Sequence, residues 1–397
     1  MASTLISTPG APDDRLPFEA WLTALATLSG MGPARLRALG RRWIPQDAWS
    51  AVLHRRVLAD PHVVASLGAR PQEVADRWAV EAARTDVAGV WAAHVRAGVG
   101  VTPVGSPAFP HALRADPDPP PLLFHLGDPD LIGGPRVAIV GTRRCTRLGL
   151  DVARELGRDL AHAGVQIVSG LALGIDGAAH QGALDAFAGG PGVPAPVGVV
   201  ASGLDVIYPR GHRRLFERVA ATGVVLTEAP LGVRPARWRF PARNRILAGL
   251  ADVVVVVESG ETGGSMHTVN AANERSRPVM AVPGAVRSGA SAGTNKLLSE
   301  GAPPVRDAAD VLIALGLAGV DLRRRPCTEH RPVPTGPAAA VLEAVGWQPA
   351  TTEQLAERTG LTLVGLAEAL TSLAADGWIE QRSGWVERIA RPEAIRP

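Results

Sequence analysis

The sequence predicts a Rossmann-like, doubly wound α/β domain with a mostly parallel sheet, an N-terminal helical domain before it and a C-terminal winged-helix-like domain after it. Three observations carry this. From residue 136 to about 317, short valine-rich runs alternate with helical patterns, as in a parallel sheet covered on both faces. Residues 16–100 place alanine, leucine and arginine at helical spacing. Residues 338–390 give three helical patterns and then two short apolar runs around Ser383-Gly384. The implied division is a helical domain over 1–102, a linker over 103–121, the Rossmann-like domain over 122–318, a second linker over 319–337 and the winged-helix-like domain over 338–390.

The strands fall at 137–140, 165–168, 197–201, 224–227, 253–257 and 279–282. The five valines at 253–257 suit a buried parallel strand and are far too few to cross a bilayer. Between the first two strands, Gly149, Ala153, Leu156 and Leu160 recur at steps of four, three and four, which makes a helix face for the sheet. The proline- and aspartate-rich stretch at 103–121 reads as a strap separating two folding units. Residues 319–337, with Arg323-Arg324-Arg325, read as a solvated linker.

A chain of 397 residues, 46% hydrophobic and 20% charged, has the composition of a globular protein of two or three domains. Its first fifteen residues lack a basic stretch followed by an apolar one, so no secretory signal is predicted and the cytoplasm is the expected compartment. Cys145 and Cys327 are far apart, with no ligand-spaced partner beside either, which argues against zinc and against a disulfide. Of 41 basic residues only Lys296 is a lysine. Arginine-biased composition explains the bulk; where arginines cluster on loops, their planar forks suit phosphates and stacking.

Three glycine turns each lie between a strand and a helix. The first is Gly141-Thr142-Arg143-Arg144; it should bind a phosphate at the following helix start, but it lacks the glycine spacing of a dinucleotide fingerprint. In the second, Ser169 to Asp176, Gly174 permits close backbone approach and Asp176 is placed to cap the next helix. Asp176 and His180 are four apart, as an acid/base pair or as a cap beside a buried imidazole. The third, around Gly264 and Ser265 after Glu258, again offers helix-start amides to an anion. Arg234, Arg237, Arg239, Arg243 and Arg245 interleave with Trp238, Phe240 and Asn244, the composition of a single-strand channel. The turn Leu28-Ser29-Gly30-Met31-Gly32-Pro33 resembles a helix-hairpin-helix, which grips a phosphate or merely packs two helices.

Taken in order, Val140-Gly141-Thr142-Arg143, Ser169 to His180, Gly203-Leu204-Asp205 with Tyr208-Pro209, Glu228, Phe240 to Ile246, Gly264-Ser265, Val282-Pro283-Gly284 and Gly293 to Lys296 resemble the DNA-processing protein A family (DprA, or Smf). Coverage runs from about 137 to 302. Thr142, Thr146 and Thr227 replace the family's usual serines, and Leu148 stands where tyrosine is common. The resemblance implies a cytoplasmic single-stranded DNA-binding protein that protects incoming DNA and loads RecA recombinase in natural transformation. It also implies a homodimer through the Rossmann-like domain, no cofactor and no catalysis. Carried over by motif, Gly141, Thr142, Arg143, Arg243, Asn244, Arg245 and Lys296 would meet DNA; Arg245 equally suits a structural pair with Glu228.

Two rivals stand beside this reading. One is a nucleotide-hydrolysing Rossmann-like enzyme using Glu258 or Asp176 as base; the other is a duplex-binding regulator working through the winged helix. The candidate recognition helix at 363–376 has no lysine or arginine, so it suits protein docking or core packing better than a DNA groove.

Overall fold

The computed structural model describes residues 16–188, 190, 192–322, 334–345, 350–376, 378–382 and 384–388. The Arg323–Arg325 triplet, Cys327, Ser383 and the first fifteen residues lie outside that set. Residues 1–324 pack as one unit and 325–397 as another.

Six helices begin the first unit: α1 (Phe18–Thr27), α2 (Pro33–Arg42), α3 (Pro45–Leu53), α4 (Pro61–Leu67), α5 (Pro71–Arg84) and α6 (Val87–Arg96). Four of them start on proline, whose fixed φ and missing N–H suit the first helical position. Their apolar stripes close around Leu25, Leu39, Val52 and Trp78. That core also holds Leu122, Phe124, Leu171 and Val225 of the sheet unit, so bundle and sheet share one interior.

The sheet has eight strands in the order β1-β2-β6-β5-β4-β3-β7-β8. They are β1 (Gly100–Pro103), β2 (Leu122–Gly127), β3 (Arg136–Val140), β4 (Gln166–Ser169), β5 (Val197–Val199), β6 (Val224–Thr227), β7 (Val253–Val256) and β8 (Val279–Ala281). All six strands expected from the valine runs are present, and β3 to β8 are mutually parallel. The helices packed among them are α7 (His111–Arg114), α8 (Arg147–His162), α9 (Ile175–Phe187), α10 (Arg213–Thr222), α11 (Arg239–Leu250), α12 (Met266–Asn273), α13 (Ala292–Ser299) and α14 (Ala308–Leu317). The predicted face of α8 is buried as Gly149, Ala153, Leu156 and Leu160.

One boundary is corrected. The stretch at 103–121 does not separate two folding units: it connects β1 to β2, which pair antiparallel, and β2 pairs antiparallel with β6. Within the stretch, Phe109 and Leu113 are buried against the sheet. Asp116 forms a buried pair with Arg275 at 2.7 Å, and Asp118 joins Arg37 at 2.5 Å. Prolines ended the helical pattern but did not expel the segment from the core.

The second unit holds α15 (Gly336–Val345), β9 (Ala350–Thr351), α16 (Thr352–Thr359), α17 (Leu363–Ala375), β10 (Ile379–Arg382) and β11 (Trp385–Arg388). It is a winged helix, with β10-β11-β9 as a small antiparallel sheet. Thr351 opens α16 with a capping box, and Thr362 caps α17. One face of α17 is core, through Leu366, Leu370 and Leu373, while Leu363 and Val364 on its other side are exposed.

Candidate nucleic-acid interface

All six parallel strands end on the same edge, and the chain switches direction at β3, running out to β6 and returning through β7 to β8. Such an edge is where doubly wound sheets bind ligands. The turn after β3 is fixed from below. Thr142 N–H donates to the Glu258 carbonyl at 2.7 Å, and a side chain at Gly141 would strike Ile175. Held this way, the turn leaves Arg143 and Arg144 exposed.

The expected phosphate position at the start of α8 is already filled. Glu258, 7% exposed, accepts from Thr146 N–H at 2.8 Å and from Thr146 Oγ1 at 2.6 Å. A Cβ at Gly149 would lie 2.5 Å from its carboxyl carbon. The carboxylate thus takes the role sequence reasoning gave to a ligand anion.

The second turn repeats the pattern. Gly174, not Asp176, is the N-cap of α9, and the buried Asp176 carboxylate turns back toward the amides of Ala172 and Gly170. Burial pushes its carboxyl upward, against the pull of Arg243 and those amides. A Cβ at Gly170 would overlap both the Asp176 carboxylate and the Arg243 guanidinium, so only glycine lets this pair sit beneath the turn. His180 is fully buried with no well-formed hydrogen bond at either ring nitrogen, and burial lowers it to about 4. It is neutral near pH 7, and Asp176 is committed to Arg243, so the two form no acid/base pair.

The third turn is closed by its own bonds. Ser265 Oγ donates to Ser259 Oγ at 2.7 Å, and Gly293 N–H donates to the Ser259 carbonyl at 2.7 Å. This fastens α13 to the turn. Lys296 on α13 is exposed and lies 3.9 Å from Glu300. Because α13 packs on β8, Lys296 stands about five strand spacings, roughly 24 Å, from the end of β6. Gly264 is exposed, but its carbonyl accepts from Asn244 Nδ2.

The expected arginine channel therefore divides. Arg243 is 7% exposed, donates to the Val199 carbonyl, and is lowered to about 10 by burial. Asn244 is buried as well. Arg245 pairs with Glu228 at 2.5 Å and with Asp118 at 3.2 Å, the structural role. Of the residues expected at the DNA, Arg243 and Asn244 are thus engaged inside the fold, and Arg245 takes the structural pair with Glu228 that the sequence left equally open. The remaining residues are open: Arg237 is exposed, Trp238 is 61% exposed, and the Arg239 guanidinium lies 4.4 Å from the Trp238 ring. Arg143 stacks 4.6 Å over Phe240, whose ring is 5.8 Å from Tyr208. Tyr208, the chain's one tyrosine, was quoted in the sequence only as part of the resemblance and not as a site residue. A narrow cleft runs among Arg143, Gly170, Tyr208, Phe240 and Arg243.

Guanidinium forks alternating with aromatic faces, on the carboxyl edge of a doubly wound sheet, define a Rossmann-like protein with an edge suited to nucleic acid. Residues 100–316 match the family "DNA recombination-mediator protein A", and residues 326–384 match the "DprA winged helix domain". The chain belongs to the DprA family of DNA-processing proteins. It is 41% identical over 272 residues to the putative DNA processing protein DprA of Mycobacterium tuberculosis, covering 67% of this chain and 68% of that one. It is 38% identical over 223 residues to DNA processing protein DprA of Bacillus subtilis, covering 56% and 73%. The X-ray structure of DprA from Streptococcus pneumoniae superposes with a TM-score of 0.60 at 30% identity, covering 75% of this chain and 96% of that chain. Among the described residues no helix is long and apolar enough to cross a membrane.

Proposed function

We propose that this chain binds single-stranded DNA without sequence preference along the carboxyl edge of β3 to β6, protects incoming DNA and loads RecA recombinase in natural transformation. In this reading it works in the cytoplasm as a homodimer through the Rossmann-like domain, without catalysis or a cofactor. The observation that carries the strand-binding claim is the pair of stacks at this edge, Arg239 on the exposed Trp238 and the exposed Arg143 on the half-buried Phe240. A base has a π-face that such rings accept only when it is unpaired, and a guanidinium meets any phosphate. Both carboxylates that an enzyme reading would use, Asp176 and Glu258, are buried and engaged by the chain's own groups.

The test is a gel shift of single-stranded and blunt duplex oligonucleotides of mixed sequence over a salt series. The single strand should bind more tightly, and log affinity should fall with log salt by about 0.7 per phosphate neutralised. Equal affinity for duplex would overturn the reading. RecA loading is tested separately, by whether the chain speeds RecA filament growth on DNA coated with single-strand-binding protein.

A further inference from the structure

The turn between α1 and α2, singled out in the sequence as a possible phosphate grip, is not a remote packing corner. It forms one wall of a groove of about 250 Å³ whose other wall is built by Thr227, Glu228, Trp238, Arg239 and Arg243 at the ends of β5 and β6. Val200, Ala201 and Arg243 line both this groove and the cleft beneath Arg143 and Phe240, so the two are continuous across the sheet edge.

Two independent observations mark the groove as a ligand path. On the turn wall, Gly32 caps α2 without a side-chain partner, and its own N–H donates to no group among the described residues. The turn itself is locked: Gly30 takes φ +72°, Ser29 N–H donates to Glu81 at 2.7 Å, and Arg35 Nη1 donates to the Gly30 carbonyl at 2.7 Å. On the facing wall, Arg243 is 7% exposed and its Nε, also unpartnered, belongs to a side chain lining both spaces. The turn, the Arg243 side chain and the exposed Trp238 ring line one groove. That is the chemistry of a sugar–phosphate backbone passing with a base against the ring.

We infer that the groove is a second segment of the single-strand path, in which the α1–α2 turn holds a backbone phosphate some nucleotides along from the one met by Arg143. The inference rests on the single-strand reading given above. It makes the N-terminal bundle part of the binding surface, and it sets a minimum strand length below which the bundle contributes nothing.

Gly32 allows a clean test. Its backbone is extended, with φ −123°, and a Cβ there meets nothing within 4 Å, so a side chain is accommodated. Gly32→Asp caps α2 and so keeps or raises stability, while its carboxylate takes the amides and repels a phosphate. Gly32→Ser gives a neutral cap at the same place. Affinities are measured for oligothymidylates of about 5 and about 15 nucleotides, on the full chain, beside Arg143→Ala. Gly32→Asp should weaken the longer strand about tenfold and leave the shorter one unchanged, the worth of one charged phosphate contact. Gly32→Ser should fall between, and Arg143→Ala should weaken both lengths. Parent-like binding of the longer strand by Gly32→Asp, with Arg143→Ala still defective, overturns the inference and spares the single-strand reading. A parent chain that binds neither length removes both.

Discussion

Arg239 and Arg243 sit one turn apart on the same face of α11, yet they do opposite things. Arg239 leaves the sheet edge and stacks on an exposed tryptophan. Arg243, one turn deeper, lies over the strand ends, buried among Asp176, Gly170 and the Val199 carbonyl. The body of α11 continues in this vein, with Asn244 tied to Gly264 and Arg245 to Glu228 and Asp118. The lesson is that an arginine-rich stretch is sorted by depth. Its first turn lies at the surface, and its second is held inside the fold.

The sharpest way to break the comparison is to neutralise the inner arginine. Arg243→Met strips the buried Asp176 of its counter-charge, and unfolding in denaturant should show a loss of about 3–5 kcal/mol. Adding Asp176→Asn should restore much of it, since a neutral pair no longer buries a lone charge. A fully stable Arg243→Met chain that merely loses DNA would place Arg243 with Arg239 and erase the distinction.

The second effect is on pH. Burial raises Glu228 from 4.5 to about 7, so its protonated form is favoured by folding, and stability from this group is present below pH 4.5 and lost as pH climbs to about 7. His180, lowered from 6.5 to about 4, acts the other way: its stability is lost as pH falls from 6.5 to about 4. Each shift corresponds to about 3 kcal/mol, so between pH 4.5 and 6.5 the two slopes oppose. Glu228→Gln removes one of them. Its unfolding midpoint should rise more steeply with pH across that window than the parent's, while Asp176 acts equally in both chains. Identical slopes would show Glu228 titrating as an ordinary carboxyl.

On the outer turn, Trp238→Ala should leave the melting temperature unchanged and cost about 1–3 kcal/mol of single-strand affinity, a loss that persists at high salt. Phe240, half-buried between Arg143 and Tyr208, should lose some stability as well as affinity, so the two rings separate in a melting experiment. The smallest effect belongs to Lys296. Standing across the sheet from these rings, Lys296→Ala should lower the salt slope by at most one phosphate's worth, about 0.7, with little change in affinity for short strands.

Much of this was legible in the residues. Valine runs bounded by glycine turns located all six parallel strands, because a strand covered on both faces has nothing polar to alternate with. The antiparallel strands β1 and β2 were not found, since prolines and aspartates between them look like a linker until Phe109 and Leu113 are seen in the core. The site was half legible. Residue type and spacing brought out Arg143, Trp238 and Phe240, but no sequence pattern tells that Glu258 returns to fill the start of α8 or that Asp176 folds back to the turn before α9. Those contacts join residues 112 apart in one case, and they depend on glycines at 149 and 170 leaving room.

The filled helix starts carry a consequence for selectivity inside a cell. Free nucleotides are abundant there, and an open glycine turn on a sheet of this kind would be occupied by them. With Glu258 seated at α8 and Asp176 folded back to the amides of Ala172 and Gly170, a lone pyrophosphate would find these amides already taken. A polymer bound as proposed would lose nothing by this, because its contacts would lie farther out, at several rings and forks in succession. Under the proposed single-strand reading, the chain's own carboxylates would act as a filter, admitting long anions while turning away the small ones that share their chemistry.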